Sequence, residues 1–364
     1  MRQVSAFLDE LARRLVPACD RSVVHAVFSC ASAGYGGARG RDGRRVSIIT
    51  PSGVPFEASV TGGAGRSSAA VRYVTEAATA MPFFGPRLAA QRAALDQLVG
   101  WLPAPARAAA DGLREAVDLF FPDPALVPAR TRFATTFGIV HRAEVPDGLA
   151  ALKLYGNLGV DDAAAARLAG RWPAFAGLRD VVADLDFLSP HFATLEVDAG
   201  GRLAHKLYAR TRRANAAALS LLARRFGTDI ADLSDELGRA GVDGTVWRRP
   251  VFVCVETGGG EGDGPEVSVH LPAKALGLDA PGMARLARQL VGAHADARAV
   301  DALDGAVELA GGPEAWHTSV VGVGLAAGGG VGKVNVYAAA LAPAGLVRDE
   351  SPSNSGWIGD RVMP

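Results

Sequence analysis

Four short segments repeat one pattern of residues able to do chemistry. Lys153 and Tyr155 stand two apart in LKLY, and Lys206 and Tyr208 stand two apart in HKLY. Ser268 and His270 keep the spacing in VSVH, and Lys333, Asn335 and Tyr337 extend it in KVNVY. Side chains two apart on an extended strand share a face. Each segment therefore collects its cationic, hydroxyl and aromatic residues on one face and its Leu and Val residues on the other.

An enclosed face of this kind has definite chemistry. Ammonium groups withdrawn from water are costly without counter-charge, so an unpaired ring of interior lysines demands an anion such as a phosphate-bearing ligand. The alternating tyrosines offer hydroxyls to that anion and π faces to a cation. A site suited to an anion and a carbocation together is what an allylic diphosphate requires. The competing arrangement turns the sheet polar side out and leaves these lysines in solvent.

The elements that must position these residues can be traced along the chain. Val4, Phe7, Leu8, Leu11 and Leu15 have helical spacing. An apolar run, VVHAVFSC, and a Gly/Arg-rich loop from about Gly34 to Arg44 follow; RRVSIIT, VPFEASV and AVRYVTEA then read as strands. Further on, strands come in pairs: RFATTFGIV with LAALKLYG, HFATLEVD with LAHKLYAR, PVFVCVE with EVSVHLP, and HTSVVGVGL with KVNVYAAA. Helical patterns fill the gaps between pairs. Two helices and a hairpin thus recur about five times, at intervals of roughly 55–70 residues.

Hairpins are antiparallel, whereas a parallel sheet needs a helix between successive strands. A TIM barrel and a Rossmann sheet are therefore excluded. The expected fold is α+β: a closed ten-stranded antiparallel β-barrel surrounded by α-helices and built from ααββ repeats. Closure removes the sheet edges and leaves a lumen wide enough for ligands. One domain is expected over residues 1–364, with an N-terminal helix at 1–20, barrel repeats at about 45–340 and a polar tail at 343–364.

The ordered set formed by PFEAS (Pro55–Ser59), VRY (Val71–Tyr73), two KxY strands and a final Tyr337 resembles the dimethylallyltryptophan synthase-type aromatic prenyltransferases, in a bacterial form. The resemblance covers roughly residues 45–340. It implies the prenyltransferase-barrel fold and transfer of a dimethylallyl group from dimethylallyl diphosphate to an indole, either tryptophan or a tryptophan-derived compound. The reaction would be a Friedel–Crafts alkylation in secondary metabolism, with no obligatory metal. Glu57 matches the acid that accepts the indole N–H, expected as an ionised carboxylate. Arg72, Lys153 and Lys206 match the diphosphate site, which Lys333 would join. Tyr155, Tyr208 and Tyr337 match the tyrosines that shield the allylic cation.

Three positions depart from the family. Ala204 stands where an arginine commonly precedes the second KxY, His270 replaces a usual shield tyrosine, and Lys333 falls where another tyrosine is frequent. The alternatives to an indole enzyme are prenylation of another aromatic, such as a carbazole or phenol, and a non-catalytic binder of a phosphorylated or aromatic ligand.

Other candidates reduce to structure. Gly328–Lys333, GGGVGK, lacks the flanking residues of a phosphate loop and reads as a hairpin turn. Asp161-Asp162 begins like an acidic magnesium motif, but residue 165 is Ala, so a helix start is expected. His141 is expected at a turn, on the surface or at a barrel rim. His191 and His317 should begin strands. HExxH and the nucleophile elbow are both missing.

Composition bounds the rest. The chain has 364 residues, of which 49% are hydrophobic and 21% charged, enough for a sizeable core. Lys+Arg and Asp+Glu both number 38, which argues against coating nucleic acid or an anionic membrane. No apolar run is long enough for a membrane helix. The N-terminus carries Asp9 and Glu10 inside its helical pattern, unlike a signal peptide. Cys19, Cys30 and Cys254 are too few and too scattered for a disulfide framework or a CxxC metal site. A cytoplasmic protein, monomeric or weakly homodimeric, is expected.

Overall fold

The computed structural model describes residues 2–341 other than 36, 38–45, 48, 51, 64–68, 130, 132, 162, 212–215, 226, 258–265, 295–296 and 327–330. The polar tail, most of the Gly/Arg-rich loop, Asp162 and Gly328–Gly330 therefore lie outside the described residues.

Ten antiparallel strands close into one barrel: β1 (Phe56–Gly63), β2 (Ala70–Thr75), β3 (Thr135–Arg142), β4 (Ala151–Asn157), β5 (Leu188–Asp198), β6 (Leu203–Thr211), β7 (Phe252–Glu256), β8 (Glu266–Pro272), β9 (Trp316–Leu325) and β10 (Val331–Ala340). Sequence neighbours pair around the ring. The seam closes between β1 and β10, from Glu57 opposite Ala339 to Gly63 opposite Lys333.

Helices separate the hairpins in the expected rhythm. They are α1 (Arg2–Leu15), α2 (Arg21–Ala31), α3 (Phe84–Gly100), α4 (Ala104–Ala109), α5 (Asp111–Phe120), α6 (Ala164–Arg171), α7 (Pro173–Ala183), α8 (Ala216–Arg225), α9 (Ala231–Arg239), α10 (Ala273–Leu276), α11 (Ala280–His294) and α12 (Arg298–Leu309). The run VVHAVFSC is the body of α2, capped by Asp20, whose carboxylate accepts the Ser22 N–H.

The core lies between the barrel wall and the helices, not inside the barrel. Leu152 and Leu154 of β4, Val267 and Val269 of β8, and Val334 and Val336 of β10 are all buried on that outer face. Each such side chain contributes about 1.5–3 kcal/mol relative to exposure. Phe7 of α1 stacks on Trp316 of β9 at 4.1 Å between ring centroids, and Phe56 of β1 meets both rings edge-on. The first helix thus ties together strands on both sides of the closing seam.

One expected strand is not found among the described residues. Among the described residues of RRVSIIT, residues 46, 47, 49 and 50 are irregular. β1 already pairs with β2 on one side and β10 on the other, so the closed ring offers this β-branched run no edge. It is held by side chains instead. Ser47 Oγ donates to Glu76 Oε2 at 2.9 Å, and Thr50 Oγ1 donates to the Val54 carbonyl at 2.6 Å.

Candidate active site

Strand alternation puts the period-two residues inside the barrel. Lys153 and Tyr155, Lys206 and Tyr208, Ser268 and His270, and Lys333, Asn335 and Tyr337 line one lumen of about 1180 Å³ together with Arg72. The polar-side-out arrangement is thereby excluded. Arg72 and Tyr73 illustrate the alternation. Arg72 faces the lumen and donates to Thr61 Oγ1, while Tyr73 points outward onto Phe56 and Phe28.

Four rings from alternate strands form an arc. Tyr155 of β4 lies 6.1 Å from Tyr208 of β6, Tyr208 lies 5.7 Å from His270 of β8, and His270 lies 5.8 Å from Tyr337 of β10. Burial holds all three phenols above their ordinary pKa. They stay neutral and present π faces. Burial, reinforced by Lys333 and Lys206, pushes His270 down to about 4, so its imidazole is neutral too. Below this arc an apolar chamber of about 80 Å³ is bounded by Ile49, Phe133, Phe192, Phe252 and Glu57.

Glu57 closes that chamber. Ser319 Oγ donates to its Oε1 at 2.6 Å. Ser319 is the residue skipped in the β9–β10 register, between Thr318 opposite Ala338 and Val320 opposite Tyr337. The bulge turns its hydroxyl inward. Burial pushes the Glu57 pKa up to about 8 against the opposing pull of Ser319. Burial thus favours the neutral acid over the expected ionised carboxylate near pH 7. Its carbonyl oxygen can still accept an N–H.

The lysines are not the unpaired ring that the sequence suggested. Lys153 Nζ lies 2.9 Å from Glu196 Oε2, and Lys206 Nζ lies 2.9 Å from the same oxygen and 2.6 Å from Glu256 Oε1. Lys333 Nζ lies 2.6 Å from Glu266 Oε2. The strand register explains the pairing: Lys153 stands opposite Glu196, and Lys206 opposite Glu256. Glu196 also stands opposite Ala204, so the small side chain at that position leaves this carboxylate to the two lysines.

The protonation states follow. Burial lowers Lys206, but Glu196 and Glu256 outweigh it and hold the ammonium well above its ordinary pKa. Burial takes Lys153 down to about 8, because the pull of the shared Glu196, with a weaker one from Glu256, is opposed by Lys206 and Arg72 as well. Burial raises Glu196, yet Lys153 and Lys206 more than offset this and leave it strongly acidic.

Glu196 and Glu256 escape the period-two pattern because they lie on the first strands of their hairpins, whereas Glu266 heads a second strand, two residues before Ser268. The same alternation runs through the first strands, as Thr194 and Glu196 in ATLEVD and Cys254 and Glu256 in VCVE. The histidine expectations fare unevenly. His141 is neither at the surface nor in the lumen, because alternation sends it outward, where it is 1% exposed and stacked on Tyr73. His191 and His317 lie near the starts of β5 and β9. Asp161 binds Arg167 and accepts the Ala163 N–H just before α6.

No family model matches the sequence, and no curated protein matches it. Solved structures do match in fold. A 6-dimethylallyl tryptophan synthase superposes with a TM-score of 0.71 at 19% identity, covering 94% of this chain and 97% of its own. The chain has the fold of the dimethylallyltryptophan synthases. A 6-dimethylallyltryptophan synthase from Micromonospora olivasterospora, solved in complex with DMASPP and Trp, gives 0.67 at 21% identity over 92% of this chain and 95% of that one. A 5-dimethylallyltryptophan synthase from Streptomyces coelicolor gives 0.65 at 18% identity over 93% and 96%. No helix among the described residues is long and apolar enough to cross a membrane.

Proposed function

We propose that this chain is an aromatic prenyltransferase that moves a dimethylallyl group from dimethylallyl diphosphate to an indole, tryptophan or a tryptophan-derived compound. The observation that carries this reading is the division of one lumen into a cationic end, with Arg72, Lys153, Lys206 and Lys333, and an aromatic end that closes on Glu57. The likeness in fold to synthases named for tryptophan prenylation supports it.

In this mechanism the cationic residues hold the diphosphate and stabilise its charge as the C–O bond breaks. A preorganised donor of that kind is worth about 2.7–4 kcal/mol in the transition state. These positive charges do the work for which a metal would otherwise serve, so none is obligatory. Tyr155, Tyr208, Tyr337 and His270 surround the allylic cation with π faces and exclude water. Glu57 accepts the indole N–H and orients the ring toward the cation.

The lysine–glutamate pairs favour a second reading, a non-catalytic binder whose cations are already neutralised. Incubation with dimethylallyl diphosphate and tryptophan, followed by mass spectrometry, separates the two. An enzyme adds one C5 unit to the amino acid; a binder leaves it unchanged.

A further inference from the structure

The arc of rings contains a group that a cation shield alone does not need. Of the described residues lining the chamber beside Glu57, His270 carries the one side-chain nitrogen. Its Nε2 lies 3.1 Å from Ser268 Oγ. When Nε2–H is donated to that hydroxyl, Nδ1 keeps its lone pair. Nδ1 faces the place where Gly322 of β9 has no side chain: a Cβ there would sit 3.0 Å from Nδ1 and 3.4 Å from Tyr337 Cε2. Gly322 thus lets the imidazole and the Tyr337 ring close over bare β9 backbone, and both rings still line the lumen and the chamber.

Other groups in the lumen are poorly suited to remove a proton. The three lysines are held by carboxylates. Glu57 is bonded to Ser319 and serves the acceptor N–H. Burial leaves the phenols protonated and raises the Cys254 thiol to about 11. A neutral imidazole is a weak base here, but an arenium ion is a far stronger acid than its conjugate imidazolium.

We infer that His270 is the base that completes the alkylation, taking the ring proton of the arenium ion onto Nδ1. The inference rests on the prenyl-transfer reading. The C–O bond of the donor breaks with its electron pair leaving on diphosphate, and a ring carbon of the acceptor bonds the allylic carbon. The C–H pair at that carbon then returns to the ring as Nδ1 takes the proton. The imidazolium passes the proton to the departing diphosphate, which restores the base and balances charge. Lys206 and Lys333, which would hold that anion, already exert their charge on this imidazole.

The test compares the wild type with His270→Phe and His270→Gln, using acceptor carrying hydrogen or deuterium at the alkylated carbon. His270→Phe keeps an aromatic face but no basic nitrogen; His270→Gln keeps polarity and bulk. General bases contribute about 10²–10⁴-fold, so both variants should form product at least about 10²-fold more slowly. Their rates should also acquire a deuterium dependence larger than that of the wild type, because proton removal becomes the slow step. Retained binding of inorganic diphosphate would establish that the variants are folded. Variants within a few-fold of the wild type, or slowed with no added deuterium dependence, would reduce His270 to a shield. A wild type that forms no prenylated product with any aromatic acceptor would overturn the prenyl-transfer reading and this inference with it.

Discussion

Lys206 on β6 and Glu196 on β5 form an ion pair of 2.9 Å inside the barrel, and Glu196 holds Lys153 at the same distance. One carboxylate therefore fixes two cations before any ligand arrives. The pairing lowers the cost of burying the lysines, and it also sets a condition on binding. An incoming diphosphate must share these cations with carboxylates already in place.

The stability effect of losing Lys206 follows from that pair. Lys206→Met leaves Glu256 without its ammonium and Glu196 with one instead of two. A fully enclosed pair loses about 3–5 kcal/mol when one partner is removed; a lumen open to water should reduce this to about 1–3 kcal/mol. Denaturant melts should show the loss, and Lys206→Met with Glu256→Gln should recover part of it. The effect has a pH window. The depressed Glu196 stabilises above the unfolded carboxylate value of about 4.3, and the raised Lys206 stabilises below the unfolded lysine value of about 10.4. The deficit should thus be largest near neutrality and shrink in acid. A variant as stable as the wild type would show that the lysine is not held by these acids.

Glu57 gives the opposite dependence. Its folded pKa of about 8 lies above the unfolded value of about 4.3, so the folded chain binds more protons between them. Its contribution should fall as pH rises through that interval. Glu76, also raised to about 8 by burial, adds a similar slope. The informative quantity is therefore the difference between wild type and Glu57→Gln in denaturant midpoints across pH 5–9. The glutamine variant should gain relative stability as pH rises. A constant difference would show that Glu57 is ionised throughout.

Gly322 sets the approach of two rings. Gly322→Ala would place a methyl 3.0 Å from His270 Nδ1 and 3.4 Å from Tyr337 Cε2. The rings must part by a few tenths of an ångström. Misplacement near reacting atoms is costly to rate, so turnover should fall about tenfold or more while the melting temperature changes little. Unchanged turnover would mean that the arc does not position the cation.

The acceptor contact can be isolated by a two-by-two comparison. Glu57→Ala should slow an N–H indole strongly and an N-methyl indole little further, because the methyl group has already removed the contact. Glu57→Gln should retain more activity than Glu57→Ala on the N–H acceptor. Equal slowing of both acceptors by Glu57→Ala would show that Glu57 does not read the N–H, and a phenol would become the better acceptor candidate.

Much of this architecture was legible in the sequence, because two facts dominate it. Helices occur between hairpins and not within them, which dictates antiparallel pairing, and period-two polarity in KLY and KVNVY separates lumen from core. Three kinds of information escaped. RRVSIIT has the composition of a strand, but its failure to pair depends on closure of β1 onto β10, a non-local fact. The partners of the lysines depend on register, which sets Glu196 opposite Lys153 and Glu256 opposite Lys206. Ser319 reaches Glu57 through a bulge that no spacing rule announces.

The central claim is that the cationic end ionises an allylic diphosphate for capture by an indole at the aromatic end. Its most direct test follows diphosphate and product together, in EDTA, from purified protein with dimethylallyl diphosphate and tryptophan. The account predicts tryptophan-dependent diphosphate release matched mole for mole by C5-modified tryptophan, persisting in EDTA and lost in Arg72→Met. Donor binding with neither release nor modification would contradict it and leave the chain a binder. Release without modified tryptophan would contradict the indole assignment, and activity abolished by EDTA and restored by magnesium would contradict the metal-free account of the cationic end.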